Sequence, residues 1–193
     1  GTLFGKILRS PHAHARIKSI DTSKAEALPG VKAVLTSADF PEQQFAYIGP
    51  EPVAQNFWHI TRNIMAREKA LYEGHAVAAV AATNETVAAK AVKLIEVEYE
   101  VLPHVIDVEA AMADDAPLLF EDMIPRGIEP VPTKASNISK RVAYAVGDVE
   151  AGFAEADIVV EKEYRTAAVH QGYIEPHACL ARYDSDGQAE LWS

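Results

Sequence analysis

The densest group of side chains able to do chemistry lies near the end of the 193-residue sequence. His170, Glu175 and His177 stand within eight positions, and Cys179 follows them. Imidazole and carboxylate groups are common proton carriers in active sites, so the cluster suggests a site if the fold brings it to a cavity. A glycine and a proline inside the segment predict irregular backbone, which suits that role. On these residues alone, a structural role is the simpler interpretation.

Two histidines near the N-terminus form a second candidate site. His12 and His14 alternate, so a strand would place both imidazoles on one face, where they could bind a transition metal. The flanking Arg9 and Arg16 disfavour a cation, and no third or fourth ligand stands nearby. The pattern therefore favours loop histidines that pack or form hydrogen bonds. A histidine-based metal site, holding zinc or copper, is the alternative.

Three other patterns resemble sites but favour structural roles. Alternating carboxylates, typical of a solvated strand face, occur at Glu96, Glu98 and Glu100. The Glu73-Gly74-His75 segment suits a turn that leads into an apolar run. The Gly147-x-x-x-x-Gly152 spacing lacks the Lys-Ser/Thr of a phosphate loop, and Asp148 would repel phosphate.

Composition restricts the function classes. Eighteen basic and 28 acidic residues give a formal net charge of −10. This balance disfavours binding to nucleic acid or to an anionic membrane, because both need clustered Lys and Arg. Cys179 is the only cysteine, which excludes an intrachain disulfide and a cysteine-ligated iron–sulfur or structural zinc site within these residues. The single cysteine fits a reducing compartment, and we expect a cytoplasmic location. No apolar run is long enough to span a membrane, and the first residues show no signal-peptide layout.

Hydrophobic periodicity predicts an α+β arrangement. Short strands are expected at residues 3–8, 15–21, 31–36, 76–82 and 95–101, and a short helix at residues 23–28. Residues 41–66 show no clear period and contain three prolines, which predicts a surface excursion without regular structure.

A strand–helix–strand unit is expected over residues 76–101. Its first strand is a run of small apolar residues, which is typical of a fully buried strand. Asn84 suits the N-cap of the following helix, whose apolar face carries residues at helical spacing: Val87, Ala91, Leu94 and Ile95. The period then changes to two, which predicts a strand with one buried face.

The second half of the sequence is less regular. Residues 104–140 contain four prolines, which predicts a long connector with one short helix at residues 108–113. Asp148 suits the cap of a helix that ends at Ala156, and residues 158–165 alternate as a half-exposed strand would. Residues 178–183 and 188–193 flank Asp184-Ser185-Asp186-Gly187, which predicts a hairpin.

Several segments, in order, resemble the large subunits of the xanthine dehydrogenase and aldehyde oxidase family. They are Arg9-Ser10-Pro11-His12-Ala13-His14-Ala15-Arg16-Ile17, Leu28-Pro29-Gly30-Val31-Lys32-Ala33-Val34-Leu35-Thr36, and residues 72–82, 88–103, 147–160, 172–177 and 190–193. One departure is visible: Gly74-His75-Ala76-Val77 stands where the family often has Gly-Gln-Pro-Val. Five or more motifs in family order make the resemblance specific, and it covers most of the chain.

The resemblance implies an α+β fold with a hammerhead-type mixed sheet, packed helices and a partial, strand-rich cofactor domain. Residues 1–104 would form the α/β hammerhead domain, residues 105–142 a connector, and residues 143–193 the N-terminal part of the molybdenum-cofactor domain. Both ends resemble interior stretches of the family's subunits, so we expect a fragment. Truncation would leave apolar surface exposed near residues 178–193.

The family hydroxylates, or in some members reduces, small organic substrates at a molybdenum–pterin centre, with water as the oxygen source. Electrons leave through iron–sulfur clusters and usually a flavin on other domains or subunits, which would be partners of this chain. The family's glutamate base and main pterin contacts match no position here, so the resemblance implies no catalytic residue and no metal ligand. It implies at most supporting or channel roles for His170, Glu175 and His177.

Two interpretations of the function therefore remain open. The chain is either part of a molybdenum-dependent oxidoreductase that is inactive in isolation, or a non-catalytic module that docks the cofactor and iron–sulfur parts. A homodimer is compatible with both. The substrate and the electron acceptor stay undetermined, because purines, aldehydes, N-heterocycles, carbon monoxide and aromatic thioesters are all used within the family.

Overall fold

A computed structural model describes residues 1–41, 47–48 and 55–193. Within these residues the chain forms two compact units, residues 1–144 and residues 145–193. The first unit contains eight strands of the described chain: β1 Phe4–Arg9, β2 Ala15–Asp21, β3 Val31–Thr36, β4 Tyr47–Ile48, β5 Gln55–Asn56, β6 Lys69–Ala70, β7 Ala76–Ala82 and β8 Glu96–Val101. Its helices are α1 Ser23–Glu26, α2 Phe57–Ile64, α3 Glu85–Val92 and α4 Val108–Ala111, with a 3-10 turn at Ser37–Asp39.

The strands of the first unit form two three-stranded sheets and a short ladder. β7 lies between β1 and β3 in one sheet, β2 lies between β6 and β8 in the other, and β4 pairs with β5. These observations confirm the α+β fold and the strands expected at residues 15–21, 31–36 and 76–82.

The core of the first unit lies between β7 and the helices α1 and α3. Ala78, Val80 and Ala82 on β7 are buried against Ala88 and Ala91 on α3, together with other apolar side chains. Small side chains on both elements allow the helix to lie close to the sheet, so the alanine-rich sequence of β7 suits its central position. Asn84 accepts a hydrogen bond from the backbone N–H of Val87 at 2.9 Å and caps α3 as the sequence predicts.

The strand–helix–strand unit over residues 76–101 is present, but its two strands belong to different sheets. β7 pairs with β1 and β3, whereas β8 pairs with β2, and all these pairings are antiparallel. The α+β fold is thus built here on antiparallel ladders, with the two strands of this unit at the centre of one sheet and at the edge of the other. Two strands joined by a helix form a parallel pair only when both belong to the same sheet. β8 joins a different sheet from β7, so no parallel pair forms.

The expectation that residues 41–66 lack regular structure is wrong for α2, and residues 42–46 and 49–54 lie outside the described residues. Asn56 caps α2 by accepting from the backbone N–H of Trp58 at 3.0 Å. The polar Arg62 lies on the buried face of this eight-residue helix, whereas the apolar Phe57 and Ile64 are exposed, so hydrophobic periodicity does not identify its packed face.

Residues 104–144 follow β8 with α4 and irregular backbone. The side chain of Asn137 organises this stretch: it accepts from Leu119 N–H at 3.1 Å and donates to the carbonyls of Ala111 and Pro117 at 3.0 Å. The connector is therefore folded on itself, and the predicted short helix is confirmed as α4.

The second unit contains α5 Val149–Glu155 and a hairpin of β9 Leu180–Tyr183 and β10 Ala189–Trp192. Asp148 caps α5 by accepting from Ala151 N–H at 3.0 Å, so the predicted cap and hairpin are confirmed. The strand expected at residues 158–165 is wrong, because this segment pairs with no strand in the described chain. Alternation marks a strand only when a neighbouring strand satisfies its backbone. Among the described residues, no helix is long and apolar enough to cross a membrane.

Candidate functional site

A cleft of about 360 Å³ opens beside α2 and β6 in the first unit. One wall comes from α2 and the residues that follow it, and the other from the connector. The lining residues are Arg16, Trp58, Arg62, Arg67, Glu68, Lys69, Leu71, Leu119, Phe120, Glu121 and Asp122. The long separation between residues 58–71 and 119–122 explains why no sequence motif marks the cleft.

Ion pairs and one aromatic contact order the basic side chains of the cleft. Arg62 lies over the ring of Trp58, 3.2 Å from its centroid, and pairs with Glu68 at 3.3 Å. Lys69 pairs with Glu121 at 2.8 Å. Burial acts to raise the pKa of Glu121, but hydrogen bonds from Lys69 and from the backbone of Glu121, together with the charges of Lys69 and Arg16, hold that pKa below its usual range. The cleft is therefore a charged site with fixed geometry.

The connector is fastened to α2 by aromatic and polar contacts. The indole N–H of Trp58 donates to the Asp122 carboxylate at 2.6 Å. The ring of His59 lies 4.6 Å from that of Phe120, and its Nδ1 is 4.0 Å from Asp122. Burial lowers the pKa of His59, and the positive charge of Arg62 lowers it further, whereas the negative charge of Asp122 acts to raise it. The net effect keeps the imidazole neutral near pH 7.

The predicted cluster in the second unit forms one chain of aromatic contacts. Tyr173 lies between the two histidines, with ring centroids 4.7 Å from His170 and 5.1 Å from His177. Its hydroxyl is hydrogen-bonded to His177, and Gly172 N–H donates to His170 Nδ1 at 3.0 Å. Glu175 is exposed at a bend of the same segment. The roles of His170, Glu175 and His177 stay predictions.

The two N-terminal histidines do not converge. His14 is buried, and its Nδ1 lies 2.7 Å from the carbonyl oxygen of Pro103 as a donor. His12 instead packs edge-on against Tyr99 at 5.0 Å. Among the described residues no group of three or more His, Cys, Asp or Glu side chains could hold a metal ion. The structure therefore favours the packing role that the sequence suggested.

The remaining patterns also take structural roles. The carboxylates of β8 lie on an exposed face, where Glu96 pairs with Lys24 and Glu100 lies 3.7 Å from Arg16. His75 is fully buried: its Nδ1 accepts from Leu71 N–H at 3.1 Å, and its Nε2 lies 3.0 Å from the carbonyl of Asn63. His75 therefore has a structural role in the core, and the glutamates form a solvated strand face with surface ion pairs.

Comparison with protein-family models identifies the family of the chain. The model described as "Aldehyde oxidase and xanthine dehydrogenase, a/b hammerhead domain" matches residues 1–103, which is more than half of the chain. The chain belongs to the aldehyde oxidase and xanthine dehydrogenase family. A second model, the molybdopterin cofactor-binding domain, matches residues 131–193. The family recognised from the sequence motifs is thus confirmed.

Individual relatives agree with the family. The carbon monoxide dehydrogenase large chain of Afipia carboxidovorans is 42% identical over 100% of this chain and 23% of its own length. A probable hypoxanthine oxidase of Escherichia coli is 36% identical over 94% of this chain and 21% of its own length. The aldehyde oxidoreductase structure from Desulfovibrio gigas superposes with a TM-score of 0.72 at 26% identity, covering 98% of this chain and 20% of that one. The chain therefore spans about a fifth to a quarter of these relatives.

The apolar groove of the second unit does not fit a pterin. A groove of about 370 Å³ in the second unit is lined by Val149, Gly152, Phe153, Ala156, Ile158, Val159 and Val160. A pterin carries many hydrogen-bonding groups, and burying them against apolar side chains costs free energy. No chemical step is therefore assigned to these residues through the cofactor.

Proposed function

We propose that the chain is the hammerhead portion and the first part of the cofactor domain of a molybdenum hydroxylase large subunit. Residues 1–104 are the hammerhead domain, residues 105–142 a connector, and residues 143–193 the beginning of the cofactor-binding domain. The observation that carries this proposal is the order of the two family models along one chain. The likeness to an aldehyde oxidoreductase structure over 98% of the chain supports it.

The parent enzyme is an oxidoreductase that hydroxylates a small organic substrate with oxygen from water at a molybdenum–pterin centre. The remainder of the subunit supplies most of the cofactor site, and iron–sulfur and flavin domains or subunits carry the electrons away. Large-chain and subunit names among the relatives support such partners. His170, Glu175 and His177 then support the cofactor site or line its channel. The complex works in the cytoplasm, and two copies of it form a homodimer.

In the parent enzyme, the hammerhead core positions the cofactor domain and takes no part in the reaction. Most buried apolar residues of the described chain lie in the first unit, around β7 and α3. A rigid core of this kind is a suitable support for a neighbouring cofactor domain. The isolated chain is inactive, because the remainder of the subunit supplies most of the cofactor site.

Metal and pterin analysis tests this proposal. The complete subunit, purified with its partners, should contain about one molybdenum and one pterin per copy, whereas residues 1–193 alone should contain neither. Turnover of the complete complex in ¹⁸O-labelled water should place the label in the product. Stoichiometric molybdenum in residues 1–193 would contradict the placement of the cofactor site, and unlabelled product would contradict the reaction.

A non-catalytic assembly module is the second candidate. It is favoured by the apolar groove of the second unit, which suits packing against protein better than binding a polar cofactor. The complete subunit decides between the two candidates. If it binds the iron–sulfur partner but holds no molybdenum or pterin under conditions that load a related enzyme, the assembly role is correct.

A further inference from the structure

The sequence that matches the cofactor domain begins inside the first unit. The family model of the molybdopterin cofactor-binding domain starts at residue 131, whereas the first compact unit extends to residue 144. Residues 131–144 therefore match the cofactor domain by sequence and fold with the hammerhead unit. A segment that matches one domain and folds with another is a candidate for a contact that joins the two.

Within this overlap, an arm formed by residues 135–141 lies against a docking surface formed by residues 111–127. Arg126 makes two backbone hydrogen bonds to the arm. Its N–H donates to the carbonyl of Ser139 at 3.1 Å, and its carbonyl accepts from Arg141 N–H at 2.8 Å. Because donors come from both segments, these bonds fix the register of the arm on the surface.

A second set of hydrogen bonds holds the middle of the arm. The side-chain amide of Asn137 accepts from one backbone N–H of the docking surface and donates to two of its carbonyls. The preceding Ser136 N–H donates to the carbonyl of Met123 at 3.0 Å. Three backbone and three side-chain hydrogen bonds thus join the arm to the surface.

Gly127 allows the two backbones to approach closely. Its φ is +71°, and a Cβ there would lie 2.1 Å from the carbonyl oxygen of Arg141. Any larger residue would therefore push the arm away from the surface. The glycine gives the docking surface a shape that fits the arm.

The docking surface is fastened to the first unit by side chains that lie outside the arm. The indole N–H of Trp58 on α2 donates to the Asp122 carboxylate at 2.6 Å, and Lys69 on β6 pairs with Glu121 at 2.8 Å. The position of the surface therefore does not depend on the arm alone.

We propose that the docking surface binds the arm as it would bind a separate partner, and so holds the start of the cofactor domain on the hammerhead unit without help from the peptide link between them. The hydrogen bonds and the close fit at Gly127 carry this proposal. The link to a cofactor domain rests on the function proposed above, whereas the contact itself does not. In the parent subunit, the contact fixes the place at which the cofactor domain leaves the hammerhead unit.

Cutting the chain beside the arm tests the proposal. A recognition sequence for a specific protease is inserted between Thr133 and Lys134, which are both exposed, and the folded chain is cut there. The pieces 1–133 and 134–193 should elute together in size-exclusion chromatography at about 0.1 mM, because several hydrogen bonds to a fixed surface are sufficient for an affinity in that range. A run in urea, where the pieces separate, shows that the cut is complete.

Two glycine variants separate the fit of the arm from backbone strain. Gly127→Ala should raise the dissociation constant of the cut chain about tenfold or more, because the new methyl group meets the carbonyl of Arg141. Gly147→Ala is the matched control: its φ is +76° with no atom within 4 Å of a Cβ, so it carries similar strain outside the arm. Its two pieces should bind as those of the unchanged chain do.

A third variant removes side-chain contacts and leaves the backbone as it is. Asn137→Ala deletes three hydrogen bonds between the arm and the docking surface, so it should also weaken binding about tenfold. If Gly127→Ala does not fold, Asn137→Ala decides the matter in its place.

Two results would overturn the proposal. One is separation of the two pieces of the unchanged chain after the cut. The other is a dissociation constant that neither Gly127→Ala nor Asn137→Ala changes. The test needs no cofactor, so absence of molybdenum from the complete subunit would contradict the proposed function alone and would leave this outcome as it is.

Discussion

The imidazole of His75 is fully buried and joins two stretches of backbone. It accepts from Leu71 N–H, contacts the carbonyl of Asn63, and stacks on Tyr72 with ring centroids 4.5 Å apart. The sequence marked His75 as a departure from the Gly-Gln-Pro-Val pattern of the family. The structure gives the physical reason that it is tolerated: a histidine, like a glutamine, has both a donor and an acceptor.

We expect His75→Phe to lower the free energy of unfolding by about 2–3 kcal/mol, because it leaves the buried polar groups of Leu71 and Asn63 without partners. His75→Gln is the control, since its amide can donate and accept at the same place, and it should cost about 1 kcal/mol or less. Urea unfolding of residues 1–193 measures both. Equal losses for the two variants would show that ring packing, rather than hydrogen bonding, makes His75 important.

A pH dependence follows from the same residue. Burial lowers the pKa of His75, although hydrogen bonds to the backbone act to raise it. The unfolded chain therefore binds a proton at this imidazole more readily than the folded chain does. The stability from the neutral imidazole is complete above the unfolded pKa of about 6.5, and it is lost as the pH falls below that value. The unchanged chain should therefore lose more stability than His75→Gln between about pH 7.5 and about pH 5.5. Parallel pH profiles in urea unfolding would contradict this assignment.

At the scale of elements, Gly30 sets the turn between α1 and β3. Its φ is +98°, and a Cβ there would lie 2.9 Å from Thr83 Oγ1 and 3.3 Å from Val87 Cγ1. Its carbonyl accepts from Thr83 N–H at 2.9 Å. Gly30 therefore combines a backbone conformation that favours glycine with close contact to the start of α3.

Gly30→Ala should destabilise the chain by about 2–3 kcal/mol, because strain and a steric clash add. Gly74→Ala is the matched control: its φ is +86° with no atom within 4 Å of a Cβ, so only strain of about 1 kcal/mol is expected. Thermal or urea unfolding gives the difference between the variants, which measures the clash. A Gly74→Ala variant as unstable as Gly30→Ala would rule out the contact with Thr83 and Val87 as the cause.

The connector depends on one side chain, Asn137. Asn137→Ala removes three hydrogen bonds to backbone groups, so proteolytic cleavage between residues 111 and 137 should become about tenfold faster. Asn137→Asp keeps the acceptor for Leu119 N–H but sets a carboxylate oxygen against the carbonyls of Ala111 and Pro117, so it should be cleaved at least as fast as Asn137→Ala. Limited proteolysis with mass spectrometry locates the cuts. Unchanged cleavage in Asn137→Ala would mean that other contacts hold the connector in place.

At the scale of the whole molecule, burial is divided unequally between the two units. β7 is central in its sheet and contains the buried Val77, Ala78, Val80 and Ala82. In residues 145–193, apolar side chains such as Phe153, Leu180 and Trp192 are at least 50% exposed. This exposure agrees with the apolar surface expected near the hairpin.

Hydrogen exchange of residues 1–193 should reflect this division. Amides of β7 should exchange slowest, because ladder bonds on both sides and the burial of four of its seven residues protect them. Residues 157–169 pair with no strand in the described chain, so their amides should exchange close to the rates of an unstructured peptide. Mass spectrometry of peptic peptides resolves the two regions. Strong protection of residues 157–169 would show that this segment forms structure in solution.

The sequence by itself determined the family and the local elements. Local hydrophobic patterns predicted β2, β3 and β8 within a residue of their ends, and short-range hydrogen-bond chemistry predicted the caps at Asn84 and Asp148. Each of these features depends on residues that are close along the chain, so a local pattern is sufficient to predict it. Family motifs are local in the same way.

Only the tertiary structure decided the sheet that β8 joins, the helix at α2, and the cleft. β8 pairs with β2 across about 80 residues, and Trp58 meets Asp122 across a separation of 64. Such contacts depend on which distant segments pair their backbones and bury their apolar surfaces together. Local hydrophobic periodicity carries no information about that pairing. The predicted strand at residues 158–165 fails for the same reason, since alternation cannot state whether a partner strand is present.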